Sequence, residues 1–197
     1  SHEAIYKLIR LDREQGGTLY THTRHRMKHR RRSTGSKIPI KNRTPIDRRP
    51  DIVNVKGRFG DWEIDTIVGK NNRGAIVTLV ERKSAFMMME KLPHGKNASE
   101  LAKVVARLLT AYRQHVHTIT GDNGTEFADH QAIASALKAQ FFFTHPYSSW
   151  EKGLIENTNK LIRQYIPQKA NFDDFSERQI KKIQHKINSR PRKNLKF

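Results

Sequence analysis

The sequence predicts an α/β fold with a mixed five-stranded sheet that is flanked by helices and preceded by a basic N-terminal extension. Three short apolar runs of strand length follow one another closely between residues 61 and 89. The hydrophobic period then changes to that of an amphipathic helix, and further strands alternate with helices after it. A meander of strands followed by helical crossovers indicates a sheet with both antiparallel and parallel pairs.

The meander comprises the first three strands, which are predicted at residues 61–68, 74–80 and 85–89. The first has β-type composition, and the two-residue period of a strand places Glu63, Asp65 and Ile67 on one face. The second is continuously apolar, as expected for a strand that is buried on both sides. The tight links between the three strands favour antiparallel pairing.

Helices and strands alternate in the second half of the chain. An amphipathic helix is predicted over residues 98–112, where Asn97 and Glu100 form a capping-box pattern. A similar pattern, Ser148 with Glu151, predicts the start of a helix that runs to residue 166. The other elements are a strand at 116–120, a helix at 129–138, a strand at 141–144 and a last helix capped by Ser176 with Gln179. This order is that of the ribonuclease H-like fold.

The charge balance indicates a nucleic-acid partner. Thirty-eight Lys and Arg residues against nineteen Asp and Glu residues give a net charge of +19 and a pI near 10.4. Such an excess repels itself unless a polyanion neutralises it. Acidic membranes and ribosomes are other polyanions that composition alone leaves open. The absence of cysteine excludes disulfides and thiolate metal sites, and it favours the reducing cytoplasm. The chain has no apolar run long enough to span a bilayer.

Three acidic residues are candidates for a metal site. Asp65 lies in a strand otherwise rich in Ile and Val, where a carboxylate is costly unless it is paired or binds metal; the alternative is an edge position that faces water. Asp122 follows a strand in a turn whose glycines leave the carboxylate uncovered; the alternative is an ordinary Asp-Asn-Gly turn. Glu156 projects from a helix away from its apolar stripe; the alternative is a solvated Glu–Lys pair.

Carboxylates from two strands and a helix suit oxygen-ligated Mg²⁺ or Mn²⁺. Two such ions roughly 3.5–4 Å apart activate an attacking oxygen and stabilise the leaving one in phosphoryl transfer. Asn159, Lys160 and Arg163 share the helix face of Glu156 and are predicted to contact the DNA beside the metals. Residues of lower rank, each with an ordinary explanation as a turn, cap, surface or packing residue, are Glu63, Glu126, Asp129, Glu151, His115 and His117.

Several motifs resemble those of the insertion-sequence-thirty family of transposases. They cover most of residues 58–197 in the family's order. They are GDWEIDTIVGK at 60–70, TGDNGTEF at 120–127, PYSSWEKG at 146–153 continuing into 156–159 and 161–165, and NSRPRK at 188–193.

The resemblance implies a DDE-type polynucleotidyl transferase that is related to retroviral integrases. Asp65, Asp122 and Glu156 would be its three acids, with 33 residues between the last two, and Arg163 would be a basic residue that many such enzymes place on that helix. The implied cofactor is a pair of Mg²⁺ or Mn²⁺ ions. The implied partners are double-stranded DNA, as transposon ends and as target, and further copies of the chain on that DNA. The expected location is the bacterial cytoplasm, in association with the nucleoid.

The resemblance also predicts three regions. Residues 1–18 are interpreted as the remnant of a helix-turn-helix module, residues 19–57 as a basic linker or arm, and residues 58–197 as an integrase-type catalytic core. Because the chain begins at Ser1 rather than Met, a fragment of a longer protein is expected. Within the arm, Arg30, Arg31 and Arg32 are predicted to contact DNA, although packing across a partner subunit and a disordered tail are alternatives.

Two other functions remain open from the sequence. A ribonuclease H-like nuclease would share the metal site but stop at hydrolysis. A non-catalytic DNA-binding protein of the same fold would need none of the three acids. The predicted function is metal-dependent cleavage at element ends followed by transfer of the 3′-hydroxyl into target DNA.

Overall fold

The computed structural model describes residues 1–23, 40–92, 94–192 and 195. The chain divides into two units, Ser1–Lys37 and Ile38–Phe197. The described part of the first unit contains one α-helix, α1 (His2–Glu14), whose first turn is capped by the Ser1 side chain. After this helix, the Asp12 carboxylate accepts a hydrogen bond from the Leu19 backbone N–H at 2.9 Å. The three arginines Arg30, Arg31 and Arg32 lie outside the described residues.

The second unit contains the predicted mixed five-stranded sheet. Its strands lie in the order β3-β2-β1-β4-β5, with β1–β2 and β2–β3 antiparallel and β1–β4 and β4–β5 parallel. The strands are β1 (Asp61–Val68), β2 (Ala75–Glu81), β3 (Met87–Leu92), β4 (Thr118–Gly121) and β5 (Gln140–Phe143). The helices are α2 (Asp51–Asn54), α3 (Ala98–Leu109), α4 (His130–Leu137), α5 (Gly153–Arg163) and α6 (Glu177–Asn188).

Apolar side chains pack on both faces of the sheet. One cluster joins α3 and α4 to one face, on which Trp62 and Ile64 of β1 are fully buried. The other joins α5 and α6 to the opposite face, where Ile67 of β1 lies. Successive residues of β1 therefore alternate between the two layers, as the strand period predicted. Among the described residues, no helix has the length and apolar character needed to cross a membrane.

Both outer strands of the sheet have their free edges covered. On β3, the Gln184 and Asn188 side-chain oxygens of α6 accept hydrogen bonds from the backbone N–H groups of Met89 and Met87, each at 2.9 Å. On β5, the Phe143 backbone N–H donates to the Thr44 carbonyl at 2.9 Å. These contacts occupy backbone groups that an edge strand otherwise leaves unpaired.

Residues 40–57, which belong to the predicted basic arm, fold onto this second unit. Val53 of α2 is fully buried. The buried Arg49 guanidinium donates to the Thr120 hydroxyl at 3.0 Å and to the Asn54 side-chain oxygen at 2.6 Å. This segment therefore has a fixed place beside β4 and β5, whereas an extended linker was expected. The division of the chain into functional regions at residues 18 and 57 stays a prediction.

Two of the three helix caps that the sequence analysis names are present in the structure, and the third is not. The Asn97 side chain accepts from the Glu100 N–H at the start of α3, and Ser176 with Gln179 forms the capping box of α6. The cap predicted at Ser148 is wrong. A short 3-10 turn, Ser149–Lys152, precedes α5 instead, because the Glu151 carboxylate is bonded to His145 and not to its own helix.

Candidate metal centre

Asp65 lies in the middle of the sheet, on the face that α5 covers. Its Oδ2 accepts from the Asn159 side-chain amide of α5 at 2.8 Å, and its Oδ1 accepts from the Thr66 backbone N–H at 2.9 Å. Because β1 is the central strand, the edge position that would explain this acid as a water-facing residue is excluded. The side chain nevertheless remains 28% exposed, which leaves one side open.

Asp122 comes directly after β4, which pairs in parallel with β1. Since Glu63 is opposite Thr120 in that register, Asp122 lies level with Asp65 on the neighbouring strand. The Asp122 Oδ1 accepts from the Gly124 backbone N–H at 2.9 Å, which fixes the carboxylate in the turn. A Cβ atom at position 124 would meet the Glu126 carboxylate at 2.5 Å and the Asp122 Oδ1 at 3.0 Å, so glycine leaves room for both carboxylates in this turn.

Lys152 joins these two acids, and sequence reasoning did not single it out. Its ammonium lies 3.3 Å from the Asp122 Oδ2 and 3.7 Å from the Asp65 Oδ1, and it donates to the Ile64 carbonyl at 3.1 Å. The residue is only 6% exposed. The sequence signal was limited to its place one helical turn before Glu156, which does not reveal that the side chain turns inward.

Electrostatics at Asp65 reflect this crowded position. Burial raises the pKa of the Asp65 carboxyl above its ordinary value; the Lys152 ammonium opposes the rise, and the neighbouring Asp122 carboxylate adds to it. A carboxyl group with a raised pKa beside a second acid is typical of a functional site, and a bound cation would stabilise both carboxylates there.

Glu156 is not brought to the pair. It lies on the first turn of α5 with a half-exposed side chain, and its carboxylate pairs with Lys160 at 2.9 Å. Within the described part of the chain, no group of three His, Cys, Asp or Glu side chains could hold a metal ion. The structure thus brings together Asp65 and Asp122, whereas Glu156 faces solvent on the adjacent helix.

The other residues of the predicted DNA-contacting face divide into two sets. Lys160 is exposed beside Glu156. Asn159 contacts Asp65, and the Arg163 guanidinium donates to the backbone carbonyls of Val68 at 3.0 Å and Pro167 at 3.2 Å. The helix face that the four residues share therefore lies at the border of the sheet, where Asn159 and Arg163 contact β1 while Glu156 and Lys160 face solvent. Their contact with DNA stays a prediction.

Glu63 fixes the start of α5. Its Oε2 accepts from the Ile155 backbone N–H at 2.9 Å, and its Oε1 pairs with the Arg82 guanidinium. Both side chains are buried. The N–H groups of a first helical turn lack partners within the helix, and a carboxylate there is favourable. Glu63 thus holds the backbone of α5 at Ile155, one residue before Glu156.

Glu126 occupies a buried position on the other side of the pair. Its Oε1 accepts from the Thr66 hydroxyl at 2.7 Å and from the Lys96 ammonium at 2.6 Å. Because these two partners hold it in place, Glu126 supports the turn that carries Asp122. Of the remaining acids of lower rank, Asp129 is exposed at the start of α4 and makes no side-chain cap.

The loop that leads into α5 is tied down by His145. Its Nδ1 lies 2.8 Å from the Glu151 Oε1, and its Nε2 lies 3.1 Å from the Asp47 Oδ2. The bond to Glu151 and the charges of both acids raise the pKa of His145 above its ordinary value. These three residues, called the His145 clip below, join the loop to the segment before α2.

The His145 clip predicts a pH-dependent stability. Because the folded pKa is raised, the contribution of the clip is fully present below the unfolded histidine pKa of about 6.5 and is lost as the pH rises through the folded value. The melting temperature of wild type minus that of His145→Gln should therefore be positive in mild acid and fall towards zero in alkali. Thermal melts of both proteins across that range measure it, and a pH-independent difference would contradict the clip.

The residues of this centre fit a divalent cation. Two carboxylates on neighbouring strands offer the hard oxygen ligands that Mg²⁺ and Mn²⁺ prefer, and an ammonium already lies between them. The Asn159 side-chain oxygen is buried, and none of the residues that the structure describes forms a hydrogen bond with it. An unpaired carbonyl-type oxygen at this place is a further acceptable ligand.

Comparison with known proteins shows what this chain is similar to. Residues 56–149, which include Asp65 and Asp122, match the integrase core domain. The whole chain is also 47% identical over 201 residues to the transposase for insertion sequence element IS4351 of Bacteroides fragilis, of which it spans 61%. The chain is thus similar to an insertion-sequence transposase along its whole length and to integrase cores in the region of the two acids.

A second transposase and an integrase structure are also similar to this chain. The transposase InsI for insertion sequence element IS30A of Escherichia coli K12 is 33% identical over 174 residues, which are 88% of this chain and 45% of that protein. The catalytic core domain of BIV integrase superposes with a TM-score of 0.52 at 19% identity, over 66% of this chain and 84% of that one. The structural likeness confirms the predicted ribonuclease H-like fold. The chain spans about three fifths or less of the curated transposases it matches.

Proposed function

We propose that this chain is the catalytic part of a DNA transposase, which cleaves at element ends and transfers the 3′-hydroxyl into target DNA. The observation that carries the proposal is the pair of acids, Asp65 and Asp122, held level on adjacent parallel strands with one open side. The sequence similarity to relatives that are named as insertion-sequence transposases supports the same conclusion.

In this proposal Asp65, Asp122 and Glu156 hold the metal, in the form of two Mg²⁺ or Mn²⁺ ions. Such ions, when bound, stabilise charge on the attacking and leaving oxygens of the phosphate. The chain's own residues orient the ligands. Asn159 holds the Asp65 carboxylate, the Gly124 N–H holds Asp122, and Glu63 anchors the helix of Glu156.

Glu156 must approach the pair to complete the set of ligands. Its present partner is Lys160, which is exposed and one helical turn away. Exposed ion pairs of this kind contribute about 0.3–0.5 kcal/mol, so the pair is easily exchanged for a metal or a phosphate. In the proposal, the Lys160 ammonium would pair with a DNA phosphate, and the Glu156 carboxylate would then be free to serve as the third metal ligand.

Double-stranded DNA, as transposon end and as target, is the proposed partner. The net charge of +19 supports it, since positive charge attracts the phosphate backbone. Lys160, Arg163, Asn159 and the arm residues Arg30, Arg31 and Arg32 are the proposed contacts. Assembly of several copies on the DNA, in the cytoplasm at the nucleoid, belongs to the same proposal.

The test is a strand-transfer assay with labelled oligonucleotides that end in the element's terminal repeat, run with Mg²⁺, with Mn²⁺ and with a chelator. Joined products that need the metal are expected. Hydrolysis without joining would replace the proposal by a ribonuclease H-like nuclease. DNA binding without any metal-dependent product would leave a non-catalytic DNA-binding protein.

A further inference from the structure

The side chain of Lys152 is buried, and its ammonium group lies among three oxygen atoms. Lysine is almost never fully buried unless it is paired. Here the ammonium has three donors and three oxygens around it, namely the Ile64 carbonyl and one carboxylate oxygen each from Asp122 and Asp65. The ammonium donates hydrogen bonds to the Ile64 carbonyl and to Asp122, and it forms an ion pair with Asp65 at a longer distance. These three oxygens together fix its position.

The two acids need a cation whether or not metal is bound. Asp65 and Asp122 lie level on adjacent strands, both within 3.7 Å of the same ammonium, and two carboxylate charges this close repel each other. An ammonium between them offsets part of this repulsion. It comes from the residue immediately before α5, so the start of that helix is tied to the pair.

A divalent ion and this ammonium compete for the same oxygens. Mg²⁺ binds carboxylate oxygens at 2.0–2.1 Å, whereas the Lys152 nitrogen lies 3.3 and 3.7 Å from one oxygen of each acid. Two positive groups in that space repel each other at close range in a partly buried site. A divalent ion held by Asp65 and Asp122 would therefore displace the ammonium.

We propose that Lys152 is a built-in counter-ion, which holds the Asp65–Asp122 pair together in the metal-free protein and is displaced when a divalent ion binds. The lysine thereby sets the metal concentration at which the pair is filled. The inference rests on the proposed function, because it takes the pair to be the metal site. Displacement also frees the start of α5, four residues before Glu156.

The first test replaces Lys152 by methionine, which has similar length and no charge. Thermal melting in the absence of metal should show a less stable variant, since the two acids lose their counter-ion. In a Mg²⁺ titration the variant should gain more stability than wild type and reach half of the gain at about tenfold lower Mg²⁺, because no ammonium competes. The matched control is Lys91→Met, which removes a lysine that donates to the Phe175 carbonyl; its Mg²⁺ midpoint should equal that of wild type.

A second test uses the wild-type chain and does not depend on the folding of the variant. Lysines are acetylated briefly with acetic anhydride, with and without saturating Mg²⁺, and labelling is read by mass spectrometry. Lys152 should be protected without metal and become labelled several-fold faster with it. The exposed Lys103 of α3 and the half-buried Lys91 should not change.

The outcomes separate this inference from the proposed function. A Mg²⁺ midpoint that is unchanged or higher in Lys152→Met, or a Lys152 label that ignores bound Mg²⁺, would overturn the counter-ion while strand joining persists. No Mg²⁺- or Mn²⁺-dependent stabilisation in wild type or variant would overturn the metal site, and the counter-ion with it.

Discussion

Replacing Asp122 by asparagine is expected to abolish metal-dependent strand joining while the chain stays folded. Asparagine has the same shape, so its side-chain oxygen still accepts the bond from the Gly124 N–H that fixes the turn. The charge that attracts a divalent ion is lost. Removing a partner of a metal ligand typically costs 10–100-fold in affinity or activity, so removing the charge of a ligand is expected to cost more than about 100-fold in joining.

The assay compares joined product, DNA binding and circular dichroism for wild type and Asp122→Asn. Asp129→Asn is the matched control, because Asp129 is an exposed acid seven residues later that makes no side-chain cap. Its joining activity should equal that of wild type. Full joining by Asp122→Asn would remove this residue from the metal site.

Replacing Glu63 by alanine is expected to lower the free energy of unfolding more than any other single substitution proposed for this chain. The change leaves the Arg82 guanidinium buried without its carboxylate and removes the acceptor of the Ile155 N–H. Breaking a buried ion pair from one side costs about 3–5 kcal/mol, which corresponds to a fall in melting temperature of roughly 10 °C in a chain of this size. Urea denaturation of both proteins gives the difference in the free energy of unfolding.

Glu90→Ala is the control for the removal of an acid as such. Glu90 pairs with Arg107, whose side chain is 68% exposed, and exposed pairs contribute about 0–1 kcal/mol. The double variant Glu63→Met with Arg82→Met should recover part of the stability that Glu63→Ala loses, since no buried charge is left unpaired. Equal losses for Glu63→Ala and Glu90→Ala would show that Glu63 does not anchor α5.

The sequence predicted the sheet well because its signals are local. In β1 the alternation of residues fixes both the strand and its faces, so Glu63 and Asp65 were expected on one side, and α5 covers both. The turn at Asp122 follows from its glycines. The strand order then brings Asp122 level with Asp65. The sequence predicted the mixture of antiparallel and parallel pairs, from a meander followed by crossovers, but not this order.

What the sequence left open depends on how distant segments meet. A helical period gives the faces of α5, but the rotation of the helix on the sheet decides that Asn159 and Arg163 contact β1. The same rotation turns Lys152 inward. The Ser148 cap failed because a tertiary contact, between Glu151 and His145, took the residue that the pattern assigned to the helix. The roles of Asp65, Asp122 and Glu156 in binding metal stay predictions.

The covered borders of the sheet limit how copies of this chain can associate. Side-chain amides of α6 bond two N–H groups of β3, and the Thr44 carbonyl bonds one N–H of β5, so part of each outer ladder is already paired within the chain. Growth of one continuous sheet across subunits would first have to break these bonds. Copies of this chain are therefore expected to meet through side chains of helices and loops before they meet through the borders of the sheet.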